Sequence, residues 1–324
     1  MQQERIKSIP SNRLQFFPIM MFAIVMGMGG LTLVFQKLSL ISNFSSYFSK
    51  ISLLLTTVLF SIIAISYLLK IIFYKEEVKK ELKHPIRINF FAAFSISILI
   101  LSASFREYDI DTSKILFYFG ALFHIYFTYY TIRFWINNSL EIVHSNPAWF
   151  IPIVGNLIIP IAGVNFFNNQ ILIFYFSIGL FFWLVLFSII LNRIMFHQPF
   201  AAKFMPTMFI LIAPPSIGFI SYIKLTNSLD FFAQILFSLG LFFTILVAFM
   251  YKNFLKIRFF ISWWAFTFPM AAVTLSTLLM YELTNNEIFI YLSYFLSTIT
   301  TFIVVLVAFS TIKYISKKEI CIME

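Results

Sequence analysis

Charge is scarce in this chain: Asp, Glu, Lys and Arg make up 11% of its 324 residues, against 60% hydrophobic and 20% aromatic residues. So little polar side chain cannot cover a soluble core, which excludes an ordinary globular domain and leaves an integral membrane protein. Cysteine is nearly absent. The single Cys321 permits no intrachain disulfide and carries no chemical signature. No Asp, Glu, Lys or Arg falls in the middle of an apolar run. An ionisable group at membrane depth is costly and is kept chiefly where function needs it, so its absence argues against a proton-driven pump and against a tight site for a doubly charged substrate. Enzyme signatures are missing too: there is no paired-Asp metal motif, nucleophile elbow, His-rich zinc spacing or Gly-rich nucleotide loop. Neither catalysis nor a cofactor or metal is expected.

What is present is a series of apolar runs of helical length, not the weak ten-residue alternations of a membrane barrel. The expected spans are about Leu14 to Phe35, Ile51 to Tyr74, Ile88 to Phe105, Ile115 to Asn137, Trp149 to Phe167, Ile171 to Ile194, Pro206 to Ile223, Phe231 to Tyr251, Phe259 to Tyr281 and Ile288 to Ile312. Ten spans place both termini on one side. They leave room for a single membrane domain, 1–324, with a short N-terminal segment 1–13, read as retained, and a tail 313–324. Of 23 Lys and Arg, one side receives only Lys37, Lys50, Arg106, Lys114 and Lys224. The other eighteen fall on the side of the termini, which the positive-inside rule makes cytoplasmic. The net charge of +10 is thus explained by topology, and no nucleic-acid partner is implied. Helical spans point to a bacterial inner membrane, since outer membranes are crossed by barrels.

The prolines and small polar residues alternate. Pro18, Pro152, Pro160, Pro214, Pro215 and Pro269 all fall in odd-numbered spans, and even spans have none. Proline frees a backbone carbonyl that lipid cannot satisfy, so the odd spans are expected to form an inner ring of kinked helices around a path, with the even spans outside. The unit is then a helical hairpin used five times. Gly29, Ser95, Gly155, Asn156, Ser216, Thr267 and Thr274 are candidate path-lining residues; the competing reading of such small residues is close helix packing. Arg87 is a candidate for concentrating anions at a cytoplasmic vestibule, against a plain solvated, lipid-facing loop over 75–87. His124, within span four, is expected to bond a neighbouring helix. Phe266 and Phe268 flank Pro269, where a bulky ring could plug a narrow neutral path or simply pack.

Four segments in order, His84-Pro-Ile-Arg-Ile-Asn-Phe-Phe91, Asn146-Pro-Ala-Trp-Phe-Ile-Pro-Ile-Val-Gly-Asn156, Ala213-Pro-Pro-Ser-Ile-Gly218 and Trp263-Trp-Ala-Phe-Thr-Phe-Pro269, resemble the tellurite-resistance/dicarboxylate transporter family, which contains bacterial TehA and the plant guard-cell slow anion channel. The resemblance implies an all-α protein of ten transmembrane helices, five hairpins with quasi-fivefold symmetry around a central pore, and a homotrimer. It also implies a pore-blocking phenylalanine on span nine, which maps onto Phe268 with Phe266 as the fallback, and a further closing ring at Phe90 or Phe91. The long terminal regions of the plant channel have no counterpart here, so control by kinases is not expected. The expected function is passive movement of small monovalent anions such as chloride or nitrate through a neutral pore. The alternative is a carrier for C4-dicarboxylate, sulfite or tellurite-type oxyanions; a third reading is a structural protein with a vestigial pore.

Overall fold

Ten apolar stretches with almost no charge can satisfy their backbone polar groups in lipid only by coiling, and helix is what the chain forms. The computed structural model describes residues 13–321, and among these there are helices and no strands. The α-helices are α1 (Phe22–Ile41), α2 (Ser46–Phe73), α3 (Lys75–Leu82), α4 (Ala92–Phe105), α5 (Ile110–Asn137), α6 (Ile151–Val154), α7 (Ile158–Gly163), α8 (Asn169–Phe196), α9 (Ala213–Thr226), α10 (Phe231–Phe249), α11 (Thr267–Thr284) and α12 (Glu287–Ser316). Nine stretches among the described residues are long and apolar enough to span a bilayer, and a tenth, Pro147–Gly163, is shorter. This is a multi-pass, all-α membrane protein.

Burial separates the helices into two kinds. The stretches Ile19–Ile41, Arg87–Phe105, Ala202–Thr226 and Ile261–Thr284 have 72%, 89%, 72% and 72% of their most apolar window buried, whereas α2, α5, α8, α10 and α12 have between 28% and 33%. The exposed faces of the second group are Leu, Ile, Phe and Val, such as Leu54, Leu122, Phe181, Phe242 and Phe302, which suits a hydrocarbon solvent. Each buried segment packs against the exposed helix that follows it: α1 on α2, α4 on α5, α6 and α7 on α8, α9 on α10, α11 on α12.

The two kinds also start differently. Each exposed helix opens on a side-chain cap, from Ser45, Asp109, Asn168, Asp230 and Asn286 in turn, whose oxygen accepts from the first free backbone N–H groups. The turns before α10 and α12 are short because α9 and α11 end on Asn227 and Asn285 in the left-handed conformation, φ 52° and 51°, which lets the chain reverse at once. The buried segments instead enter through 3-10 turns: Ile19–Met21 before α1, Arg87–Phe91 before α4, Pro147–Phe150 before α6, Ala202–Leu211 before α9 and Ile261–Phe266 before α11.

This revises the expected role of the prolines. They do not kink continuous α-helices. Pro214, Pro215 and Pro269 stand in the first turn of α9 and α11, and Pro152 and Pro160 in the first turns of α6 and α7, while Pro18 precedes the 3-10 turn that leads into α1. A first-turn residue has no intrahelical acceptor for its N–H, so proline costs nothing there and its fixed φ favours the new helix. Only the fifth span is broken inside, by the 3-10 turn Gly155–Leu157. Its freed Pro152 carbonyl accepts from Thr128 Oγ1 at 2.8 Å and from Asn156 Nδ2 at 3.3 Å.

Candidate functional site

The 3-10 junctions of all five buried segments meet around one small cavity of about 50 Å³, room for no more than a few waters. Met20, Ala23 and Met26 come from the first segment; Phe90, Ala93 and Ile96 from the second; Phe150, Ile151, Val154, Gly155 and Ile158 from the third; Thr207, Ile210 and Ala213 from the fourth; and Ser262, Trp264, Ala265, Phe268 and Pro269 from the fifth. The wall is almost wholly apolar and no ionisable side chain belongs to it. Such a constriction binds nothing tightly and opposes a hydrated ion by dehydration.

Phe268 is held from behind by α1. A Cβ built at Gly30 would lie 3.3 Å from Phe268 Cδ2 and 2.8 Å from Ala271 Cβ, and one at Gly27 would collide with Thr267 Oγ1 at 2.1 Å. These two glycines therefore let α1 and α11 approach closely enough to seat the ring. Glycine is needed there for space, not for an unusual φ.

Of the residues named from sequence, Phe268, Phe90, Gly155 and Pro269 border this cavity together. Phe266 does not: it lies in an aromatic cluster with Phe209, Phe254 and Trp263, at ring distances of 4.7, 5.7 and 5.8 Å. Phe91 faces the outer helices, 6.1 Å from both Tyr67 and Phe127. Gly29 also points elsewhere, its side against Ile100 and Thr56.

The other small polar residues named from sequence do not border the cavity. Ser95 Oγ lies 2.9 Å from His124 Nδ1 of α5, and Asn156 Nδ2 donates to Thr128 Oγ1 of the same helix at 3.0 Å. Thr274 Oγ1 meets Thr300 Oγ1 of α12 at 3.0 Å. Ser216 donates to the Ile212 carbonyl and packs on Gly240 of α10, and Thr267 donates to the Trp264 carbonyl at 2.7 Å. Hydroxyl and amide groups in a bilayer are best satisfied between helices or on the preceding turn; here Ser95, Asn156 and Thr274 bond side chains of outer helices, while Ser216 and Thr267 bond their own preceding turn. His124, expected to bond a neighbouring helix, does so. Gly155 makes space for its ring: a Cβ there would lie 2.2 Å from His124 Cε1.

A much larger cavity, about 1000 Å³, lies beside the small one and shares Met20 and Phe90 with it. Gln15, Phe16, Tyr314, Ile320 and Cys321 border it, so both described ends of the chain lie at this end of the molecule. Lys80, Arg87, Lys203 and Arg258 line it, with Glu77, Glu81 and Glu319. Two of the acids are spoken for. Glu81 accepts from Lys70 Nζ at 3.0 Å and Tyr67 Oη at 2.8 Å, and Lys70 also donates to the Phe17 carbonyl at 2.8 Å. Both members of this pair are buried, 2% and 4% exposed. The hydrogen bond from Lys80 holds the Glu77 carboxyl below its ordinary pKa. In the sequence Lys70 is only one of the eighteen Lys and Arg on the side of the termini; its partner Glu81 lies 11 positions on and turns it into a clamp between α2, α3 and the chain before α1. Arg87 borders this vestibule as well.

The residues missed in the sequence are the apolar ones of the cavity, such as Met20, Ile96, Phe150 and Ile210. In a chain that is 60% hydrophobic nothing about them stands out except their place just beside each proline-marked junction.

A charged antechamber leading to an apolar constriction inside a helical membrane domain defines a membrane protein built around a path for solutes. The comparisons narrow this. Residues 16–312 match the family model SLAC1, voltage-dependent anion channel, and the chain belongs to that family. An uncharacterized transporter of Methanocaldococcus jannaschii, MJ0762, is 29% identical over 92% of this chain and 95% of its own length. The S-type anion channel SLAH3 of Arabidopsis thaliana is 28% identical over 81% of this chain but 42% of its own, and the tellurite resistance protein TehA homolog of Haemophilus influenzae is 21% identical over 81% and 80%. The family is one of anion channels and transporters, not enzymes, and anion transport is what membership supports for this chain.

Proposed function

We propose that the chain is a passive channel for small monovalent anions, chloride and nitrate among them, whose neutral path is closed by the Phe268 ring with Phe90 beside it. The observation that carries this reading is the apolar cavity at which all five buried segments converge with Phe268 in its wall, beside a vestibule bearing Lys80, Arg87, Lys203 and Arg258. The basic vestibule gathers anions and repels cations. The constriction then selects by dehydration, so large, weakly hydrated anions such as nitrate or iodide pass more readily than chloride. In this reading the five hairpins are related by quasi-fivefold symmetry, residues 1–324 form one channel domain, and the protomer works within a homotrimer in a bacterial inner membrane. The vestibule end is cytoplasmic, the side toward which the Lys and Arg excess falls. At 100 mV, inside negative, a monovalent anion crossing outward gains about 2.3 kcal/mol, so the channel is an exit route.

The test is planar-bilayer or oocyte current from the wild type and Phe268→Ala, with chloride, nitrate and a dicarboxylate compared under gradients that report the reversal potential. An anion-selective current that rises sharply in the variant supports the gated channel. Silence in both, with saturable exchange in vesicles, replaces it with a carrier for dicarboxylates or oxyanions.

A further inference from the structure

The rim between the small cavity and the vestibule is made by two residues. Met20 and Phe90 border both spaces, and the 3-10 turns that carry them, Ile19–Met21 and Arg87–Phe91, pack on one another. Each turn is joined by a short hydrogen-bonded arm to the same buried ion pair. On one arm, Lys70 Nζ donates to the Phe17 carbonyl at 2.8 Å, Pro18 follows at once, and the Pro18 carbonyl accepts from the Met21 N–H at 3.1 Å. On the other, the Glu81 carboxylate accepts from Lys70 at 3.0 Å, and the Glu81 backbone carbonyl accepts from the His84 N–H at 3.2 Å. The His84 carbonyl in turn accepts from the Ile88 N–H at 3.1 Å, and Asn89 Nδ2 donates to the carbonyls of Pro85 and Ile86, both at 3.1 Å. Phe90 comes next in the chain.

A plain tie between α2 and α3 does not call for charge. Both side chains are buried, 2% and 4% exposed, and taking two charges from water costs about as much as their attraction returns, so apolar side chains of similar volume would join the helices at least as well. An apolar residue at 70 could not hold the Phe17 carbonyl. That bond is what the ammonium adds. We propose that Lys70 and Glu81 are positioning residues for the path: they lock Met20 and Phe90 in the rim and so set how wide the entrance to the apolar constriction is. The effect on current rests on the channel reading above, whereas the width of the entrance does not. Loss of the pair frees both arms and the rim widens. Anions then enter with more of their water, so current rises and the preference for nitrate over chloride falls. Because one cation and one anion leave together, the charge of the vestibule is unchanged and its attraction for anions stays the same.

Two readouts separate width from conduction. Ala23 borders the small cavity but not the vestibule, so Ala23→Cys in a Cys321→Ser background reports entry. Its rate of modification by an anionic methanethiosulfonate is measured on the full-length protein in detergent, well below each variant's unfolding temperature. The double variant Lys70→Met, Glu81→Leu is expected to raise that rate about tenfold. Pro18→Gly, which leaves the pair intact and loosens the arm to Met20, is expected to raise it too, and decides by the same criterion should the double variant yield no folded protein. Lys79→Gln breaks the exposed pair with Glu76 on the same helix and is expected to change nothing. Nitrate and chloride currents are then recorded with the cysteine omitted and Phe268→Ala present, so that the rim limits flow in place of the ring. A several-fold rise, with the nitrate to chloride permeability ratio moving toward one, is expected. A wild-type labelling rate, an equal rise in Lys79→Gln, or an unchanged permeability ratio in a conducting protein overturns the proposal. Faster labelling in a protein that carries no anion current upholds the positioning role and removes only the channel reading.

Discussion

The small apolar cavity and the large charged one beside it differ in almost every respect. The constriction holds about 50 Å³ and is walled by Met, Ile, Phe and Ala from five helical junctions. The vestibule next to it holds about 1000 Å³ and is walled by charged side chains from the chain ends, α3 and the loops. Position in the bilayer accounts for the contrast. Near the headgroups a charge keeps its water, while at depth each unpaired charge costs several kcal/mol, so the charged side chains gather in the vestibule and the apolar ones in the small cavity.

The largest effect that sharpens this contrast is a size series at one position. Phe268→Leu, Phe268→Val and Phe268→Ala are expected to raise single-channel or ensemble current in that order, the last by an order of magnitude or more, while Phe266→Ala leaves it near wild type because that ring packs on Phe209 and Phe254 away from the cavity. A flat series at 268, or a rise at 266, would move the closing ring.

Next comes the seat of that ring. Gly30→Ala places a methyl 2.8 Å from Ala271 Cβ and 3.3 Å from Phe268 Cδ2, neither of which is a flexible chain end, so α1 and α11 must part. Overpacking of this kind costs about 1–3 kcal/mol. Both a lower unfolding temperature and a changed current are expected; an unaltered protein would show that the close approach is not needed.

In the vestibule, Lys70→Met leaves Glu81 buried without its counter-charge. Breaking such a pair costs about 3–5 kcal/mol, read as a drop in thermal stability, and the double variant Lys70→Met, Glu81→Leu is expected to recover much of it. Arg258→Gln acts on attraction alone. It is expected to reduce current at low salt by a factor of about two to three, with the difference fading at high salt as screening shortens the reach of the charge. An equal deficit at both salt concentrations would count against an electrostatic vestibule.

A last effect, on labelling and not on current, concerns Cys321, which borders the vestibule. Burial pushes its thiol up from 9.0 to about 11, against the opposing influence of Arg13 and Lys70. A raised pKa keeps the thiol protonated, so at pH 8 its thiolate fraction is about a hundredfold below that of an unshifted cysteine. Maleimide labelling is expected to be correspondingly slow in the folded protein and fast after unfolding.

Much of the architecture was legible because the bilayer imposes simple rules. Runs of twenty apolar residues mark the spans, the Lys and Arg bias marks one end, and the proline alternation separates buried from exposed helices. The site was legible only in part. Phe268 and Phe90 came from motif resemblance, and Gly155 from the small residues of the odd spans. Ser95, Asn156, Ser216 and Thr274 were read as path-lining because they are polar on inner helices. Their partners, His124, Thr128 and Thr300, or in the case of Ser216 the preceding turn, lie in other spans or depend on side-chain direction, and neither is written in a one-dimensional pattern.

By itself, then, the sequence determined that this is a helical multi-pass membrane protein with proline-marked inner segments, since transfer free energies and backbone satisfaction depend on local composition alone. Tertiary structure decided which of 45 phenylalanines line the small cavity, that prolines start helices where kinks were expected, that several polar residues bind helices together, and that Lys70 is buried. Each of those outcomes depends on contacts between residues tens or hundreds of positions apart, and only the folded chain brings them within a few ångströms of one another.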